Sequence, residues 1–304
     1  MDRLLLVWNP ISTEVRAETI GTVLVRLAEG HDAVAMHTLD ANDGVRLGEL
    51  AVSEGFDAVF VLGGDGTANE VINGAGDRIP IGVLPAGGTS VLPRVLGIPE
   101  DLDEAVDHLV KALERRSTRS ISLGTLNDRR FTFAAGIGID AEIVKRIDER
   151  GRGGETADDA KRPGDLWFVK EAVSVLMDGD YAAPSMRVEA NGREYPAATV
   201  FVANCSPWSY AGPIELDVAP DASFEGGIDI VVVESVEAQK AVGRIRSLFA
   251  KEDSDAEGVT RLSNLDGATV RCDRPTPVQV DGELLGEFDE IRLGVERDAA
   301  NLLV

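Results

Sequence analysis

Two short stretches of this sequence carry residue types that could do chemistry. The first is Gly63-Gly64-Asp65-Gly66-Thr67, which follows the apolar run Val59-Phe60-Val61-Leu62 and leads into a helical pattern. Glycines at such a turn allow positive φ and let a ligand approach the main chain closely. Thr67 stands where an N-cap belongs, and Glu70 three residues on completes a capping box. A helix start presents N–H groups and the positive end of the helix dipole, which suits phosphate. Asp65 cannot hold phosphate itself, because two anions repel. It suits Mg²⁺ or the waters around it, bridging to the phosphates. A glycine-rich turn with no ligand would read the same way. A second turn, Pro85-Ala86-Gly87-Gly88-Thr89-Ser90, ends the next strand pattern. Carboxyl ends of neighbouring parallel strands form the usual ligand crevice, so the two turns together favour a nucleotide.

The second stretch is Val280-Asp281-Gly282-Glu283. Two residues apart on an extended chain, Asp281 and Glu283 project to one side. A hydroxyl attacking a phosphoryl group must lose its proton, and a placed carboxylate can accept it while Mg²⁺ offsets the phosphate charge. The alternative is a plain hairpin with Asp281-Gly282 as a type I′ turn. His31, His37 and His108 show no metal spacing. Cys205 and Cys272, the only cysteines, make neither a disulfide framework nor a metal motif. Trp167, Phe168, Trp208 and Tyr210 read first as core. Lining of an apolar pocket is their alternative, favoured slightly by the loop-like run Ser206-Pro207-Trp208-Ser209-Tyr210.

The elements that must position these residues fall into two groups. A length of 304 residues favours two domains. Strand patterns at residues 4–8, 34–39, 57–62 and 81–84 alternate with helical patterns at 14–28, 43–53, 67–76, 91–96 and 102–114. That alternation predicts a parallel sheet with helices on both faces. Beyond residue 119 the pattern changes. Runs at 121–126 and 130–135 flank Asn127-Asp128, and runs at 187–190 and 193–195 flank Asn191-Gly192, a strong hairpin signal. Further β-rich runs lie at 199–204, 214–218, 228–234, 268–272, 277–281 and 290–295, with helical patterns at 141–149, 167–177 and 238–249. Residues 151–164 read as a loop. The expectation is an α/β domain over 1–120 and a mainly antiparallel β-sandwich over 121–289, with 290–304 packing back onto the first domain.

Composition limits the function. Fifty-three acids face thirty bases, a net charge of −23, and only six of the bases are Lys. An acidic, Lys-poor chain fits adaptation to high salt, and it fits equally a genome rich in Arg, Ala, Gly and Asp codons. Such a chain is poorly suited to nucleic acid and gains little from an anionic membrane. Residues 1–9 lack a basic region or cleavage site, so no signal peptide is expected. No run approaches the ~18 apolar residues of a membrane span. A cytoplasmic protein is expected, with any lipid contact peripheral; the oligomeric state stays open, a homodimer included.

The run Gly63-Gly64-Asp65-Gly66-Thr67-x-Asn69-Glu70-Val71-x-Asn73-Gly74 resembles the signature of diacylglycerol kinase catalytic domains, their bacterial relatives and sphingosine kinases. Asn9-Pro10-x-Ser12, the segment from Pro85 to Pro99, Ala135-Gly136-Ile137-Gly138-Ile139-Asp140-Ala141, Tyr210-Ala211-Gly212, Ala219-Pro220-x-Ala222 and Val280-Asp281-Gly282-Glu283 resemble the same family in the same order. The resemblance implies an α/β domain like those of NAD kinases and phosphofructokinases, a β-sandwich, and ATP in the cleft between them. It implies nucleotide contacts at Asn9, Ser12, Thr38, Gly63, Gly64, Asp65, Gly66, Thr67, Asn69, Gly87, Gly88 and Thr89. It makes Glu283 the proton acceptor with Asp281 and Asp65 beside it in catalysis, and places Mg²⁺ at Asp65 and, in the sandwich, at Glu225. The implied activity is transfer of the γ-phosphoryl of ATP to the hydroxyl of a neutral lipid such as diacylglycerol. Kinase action on a soluble substrate such as NAD and non-catalytic nucleotide binding are the alternatives. Three departures from the family stand out: Ser12-Thr13 with Arg16 where Ser-Gly and a Lys are usual, Gly87-Gly88-Thr89-Ser90 for Gly-Thr-x-Asn, and Glu225-Gly226 for Asp-Gly.

Overall fold

The computed structural model describes residues 1–12, 15–151, 171, 172, 174, 175, 178, 179, 181–236 and 257–304. Thr13, Trp167, Phe168, the helix expected over 238–249, and most of both the 151–164 loop and the 167–177 helix lie outside the described residues. The chain forms two compact units, one of Met1–Leu123 with Arg297–Val304, the other of Gly124–Glu296.

In the first unit, β1 (Arg3–Trp8), β2 (Asp32–His37), β3 (Ala58–Gly63) and β4 (Ile81–Pro85) form a parallel sheet in the order β4-β3-β1-β2. Leu4 to Val7 and Ala58 to Leu62 are wholly buried with no alternation. That is the signature of strands covered on both faces. The helices are α1 (Ala17–Leu27), α2 (Asp43–Ser53), α3 (Asp65–Ala75), α4 (Val91–Val95) and α5 (Leu102–Arg115). On α5, Ala105, Val106, Leu109, Ala112 and Leu113 form the buried stripe. Its N-cap, Asp101, accepts the Glu104 N–H at 3.1 Å. α2 and α3 pack main chain to main chain: a Cβ on Gly48 would stand 2.5 Å from the Val71 carbonyl oxygen and 2.8 Å from the Ala75 nitrogen.

The capping box expected at Thr67 does not form. α3 begins two residues earlier, with Gly64 as N-cap. Glu70 is buried and its carboxylate accepts instead from the Asn42 N–H (2.7 Å) and the Gly44 N–H (2.9 Å), at the start of α2. The orphan donors of one helix are thus satisfied from its neighbour.

The second unit takes in the end of β5 (Thr118–Leu126), then β6 (Arg129–Phe131), β7 (Ala134–Ile137) and α6 (Ile139–Gly151). There follow β8 (Met186–Ala190), β9 (Arg193–Ala197), β10 (Thr199–Ala203), β11 (Ser209–Ala211), β12 (Ile214–Leu216), β13 (Ile228–Val233), β14 (Val259–Leu265), β15 (Gly267–Val280) and β16 (Glu283–Leu303). Within it β14, β13, β10, β7, β15 and β16 pair in that order, all antiparallel, and β8 and β9 add to the other part of β15. Residues 269–272 of β15 pair with β8 and 278–280 with β7, with the register broken between Arg271 and Thr276. One strand therefore serves two stretches of sheet around a core of Ile137, Val188, Val200, Ile230, Val270 and Val278 among others. The unit is a sandwich-like β-domain. The runs expected separately at 268–272 and 277–281 are this single strand, and 290–295 is the middle of β16. From Arg297 on, β16 belongs to the first unit, where Leu302 lies opposite Ile81 in parallel register. The second run of the Asn127-Asp128 hairpin is interrupted at Thr132 and Phe133, for a reason that appears at the site.

Candidate active site

In the first unit the two glycine-rich turns leave the carboxyl ends of the adjacent strands β3 and β4, where Gly63 lies opposite Pro85. None of Gly63, Gly64, Gly66, Gly87 or Gly88 has positive φ. The expected left-handed backbone is absent, and close approach is what requires glycine. A Cβ on Gly63 would lie 2.9 Å from Thr67 Cβ, and one on Gly87 would lie 2.7 Å from Gly64 Cα. Around Gly88 there is open space. The one left-handed residue of the second turn is Ser90, at φ 48. Its hydroxyl accepts the Gly87 N–H (3.2 Å) and donates to the Gly87 carbonyl (3.0 Å), closing the turn. Thr89, an expected nucleotide contact, is exposed at the tip.

Asn9 and Ser12 brace the turns. Asn9 donates from Nδ2 to Thr67 Oγ1 (2.9 Å) and accepts the Ile11 N–H at Oδ1 (3.1 Å). Ser12 Oγ donates to the Ala86 carbonyl at 2.6 Å. Thr38 is buried beyond the end of β2, its N–H given to the Trp8 carbonyl at 3.0 Å. Asn69 is only 2% exposed and its Oδ1 accepts from Asn73 Nδ2 at 3.1 Å. A side chain so enclosed supports the first turns of α3.

Asp65 Oδ2 accepts the Val91 N–H and Oδ1 the Leu92 N–H, both at 3.0 Å. The carboxylate of the first turn thus holds the start of α4, just past the second turn. A carboxylate has about four acceptor sites, so these two bonds do not exclude a cation. The first intrahelical bond of α3 runs from the Ala68 N–H to the Gly64 carbonyl (3.1 Å). Helix geometry gives the N–H groups of Gly66 and Thr67 no carbonyl within α3. Such donors, beside the open space around Gly88, fit a phosphate group and a Mg²⁺ ion beside it.

In the second unit the segment 281–283 is a turn, not an extended chain. Asp281 (φ 47) and Gly282 (φ 82) are both left-handed, and Val280 pairs with Glu283 across them. This two-residue turn sets Asp281 and Glu283 apart, correcting the expected projection to one side. Asp281 is buried. Its Oδ2 accepts from the Thr132 N–H (2.6 Å) and hydroxyl (2.7 Å), its Oδ1 from Phe133 (2.9 Å) and Ala134 (3.1 Å) N–H groups. The strand break at Thr132 and Phe133 exists to aim these donors. Burial pushes the Asp281 carboxyl up and the four donors oppose the rise. A carboxylate so engaged anchors the turn. Glu283, half-buried, follows the turn.

Two residues the sequence reading left without a role complete this cluster. Gln279 is buried; its Oε1 accepts the Gly282 N–H at 2.8 Å and its Nε2 donates to Asp140 Oδ2. Burial pushes the Asp140 carboxyl up to about 6, against the lowering effect of the Gln279 bond. The only signal in the sequence was the run from Ala135 to Ala141.

Glu225, expected at a second Mg²⁺ site, is exposed in a turn. Among the described residues no group of three or more His, Cys, Asp or Glu side chains gathers to hold a metal. Trp208 is core: it packs edge-on against Phe201 at 5.5 Å and donates to the Val202 carbonyl at 3.2 Å.

A parallel α/β unit with two glycine-rich strand-to-helix turns, carried in one chain with an antiparallel sandwich-like unit, defines a two-domain kinase class. Comparison with known proteins agrees. The family described as diacylglycerol kinase catalytic domain matches residues 3–126, and the YegS C-terminal NAD kinase beta sandwich-like domain matches 137–299. Diacylglycerol kinase of Bacillus subtilis (strain 168) is 25% identical over 304 residues, covering 95% of this chain and 93% of that protein. Diacylglycerol kinase of Staphylococcus aureus (strain JH9) is 25% identical over 306 residues, covering 97% and 90%. The crystal structure of a diacylglycerol kinase from Bacillus anthracis (strain Sterne) has the same fold, with a TM-score of 0.70 at 20% identity over 99% of this chain and 96% of that one. The chain belongs to the diacylglycerol kinase catalytic-domain family. It is a kinase of the lipid-kinase class, and kinase chemistry implies ATP.

Proposed function

We propose that the chain transfers the γ-phosphoryl group of ATP to the hydroxyl of a neutral lipid such as diacylglycerol. The observation that carries this reading is the pair of glycine turns, with Gly87 packed on Gly64 beside the α3 N–H groups that have no carbonyl within the helix. The family and the named activity of the relatives support the lipid acceptor. In the first unit, Gly63 to Thr67 and Gly87 to Thr89 hold the phosphates, braced by Asn9 and Ser12, and Thr38 adds a further nucleotide contact. Asp65 would hold Mg²⁺, which would supply charge compensation to the phosphate oxygens. In the second unit, Glu283 accepts the proton. The lipid hydroxyl oxygen bonds to the γ-phosphorus, the bridging bond to the β-phosphate breaks, and ADP leaves. The enzyme meets its lipid peripherally; among the described residues no helix is long and apolar enough to cross a membrane.

The test is Glu283→Gln, which keeps size and hydrogen bonding but loses basicity. Turnover should fall by roughly 10²–10⁴-fold, with ATP affinity unchanged. A loss below about tenfold removes Glu283 as acceptor. A parallel loss of ATP binding makes it a metal ligand instead. Labelled ATP offered with a lipid extract or with NAD identifies the acceptor class; label in NAD alone would replace the lipid reading with the soluble one.

A further inference from the structure

Gln279 lies directly opposite Gly136 in the β15–β7 pairing. The Asp140 carboxylate sits over that glycine: a Cβ on Gly136 would clash with Oδ2 and stand 2.9 Å from Cγ. The missing side chain at 136 is what lets Asp140, in the first turn of α6, turn back and meet Gln279. The other end of the Gln279 amide holds the Gly282 N–H, in the Asp281–Gly282 peptide at the centre of the turn, one residue before Glu283. The turn is therefore fixed twice. Asp281 ties it to residues 132–134, and Gln279 ties it through Asp140 to α6.

We infer that Asp140 and Gln279 are positioning residues for Glu283, orienting the turn that presents its carboxylate. The inference rests on the proposed reading of Glu283 as proton acceptor. Chemical economy favours it. A buried carboxylate is costly to keep charged, and burial raises Asp140 as that cost predicts. The helix dipole accounts for an acid in the first turn of α6, but not for one folded back over a glycine onto an amide. An amide used at both ends is a rigid spacer, since Gln279 is 2% exposed and has no room to turn. Positioning matters because a shift of about 1 Å at a reacting group costs on the order of a hundredfold in rate.

The experiment is steady-state kinetics on the full chain with Mg-ATP and diacylglycerol in mixed micelles. Asp140→Ala and Gln279→Leu should each lower kcat by about tenfold to a hundredfold, with KM for ATP held within about twofold. Asp140→Asn still offers Gln279 an acceptor and should keep kcat within about threefold of the parent. In a Glu283→Gln background, Asp140→Ala and Gln279→Leu should cost less than about twofold more, because residues acting through one group are not additive. Full additive losses there, or a raised KM for ATP, would overturn the inference by showing action elsewhere. So would unchanged rates for both single variants while Glu283→Gln is slow, and in that case the acceptor reading stands. An unchanged rate in Glu283→Gln itself removes the acceptor and this inference with it. Gln279→Leu, close in volume, carries the test if Asp140→Ala does not fold.

Discussion

Asp281, Glu70 and Asp65 each accept main-chain hydrogen bonds from donors that belong to a different element. These acids stitch elements together, and their residue type is explained before any ligand is invoked. Asp65 is the instructive one, because its structural duty and its proposed cation duty coexist on one carboxylate. Asp65→Ala removes both. Loss of the bonds to Val91 and Leu92 should cost about 1 kcal/mol, as for a helix cap, seen as a lower denaturation midpoint. Turnover should fall by more than about a hundredfold, the usual scale for losing charge stabilisation of a transferring phosphoryl group. Calorimetric ATP titrations with and without Mg²⁺ separate the duties. In the parent Mg²⁺ should tighten ATP binding; in the variant that tightening should be gone. Tightening that survives undiminished would leave Asp65 a helix anchor only.

At the scale of elements, α2 and α3 meet through glycine. Gly48→Ala drives a methyl into the Val71 carbonyl and the Ala75 nitrogen of α3, both main-chain atoms that cannot rotate away. Overpacking of this kind costs about 1–3 kcal/mol, and here the upper end applies. Gly21→Ala, on the exposed side of α1 with nothing near its Cβ position, should have the opposite sign, stabilising by about 0.5–1 kcal/mol. Urea denaturation of both variants checks the pair; a Gly48→Ala protein as stable as the parent would mean the helices slide apart freely. The same contrast between local and non-local control explains what the sequence reveals. α2 is legible over 43–53 to the residue, and the strands of the parallel sheet to within two, because apolar runs and glycine punctuation are local signals. β15 and β16 are not, because Arg274-Pro275 and Gly286 read as breaks while pairing with distant strands carries the chain through them. β14 is missed for a related reason: its alternation is weak and its place is set by β13. The glycine turns of the site were legible as a motif. The engagement of Asp281 was not, since its donors lie 147 to 149 residues away.

The whole molecule carries −23, and at low salt that excess acts over distances comparable to the unit itself. The Debye length is about 30 Å at 0.01 M and about 3 Å at 1 M. Salt also weakens attractive pairs, and most strongly the exposed ones such as Arg187–Asp273 and Arg271–Glu189, on side chains roughly half exposed. Each is worth about 0–1 kcal/mol. With fifty-three acids and thirty bases, repulsion has the larger number of partners, so screening should stabilise the folded state. The melting temperature at neutral pH is expected to rise with KCl. Most of the rise should come below about 0.3 M, where the Debye length has already shrunk to about 5 Å. A rise that instead continues linearly into molar salt would be solvent exclusion from apolar surface, which does not depend on charge. The decisive control is pH. Near the sequence pI of about 4.5 the net charge vanishes, and with it the reason for the steep low-salt rise. Melting curves in a KCl series at both pH values therefore test charge repulsion directly. A flat series at neutral pH would mean the acids are spaced widely enough not to strain the fold, and their abundance would then reflect composition alone.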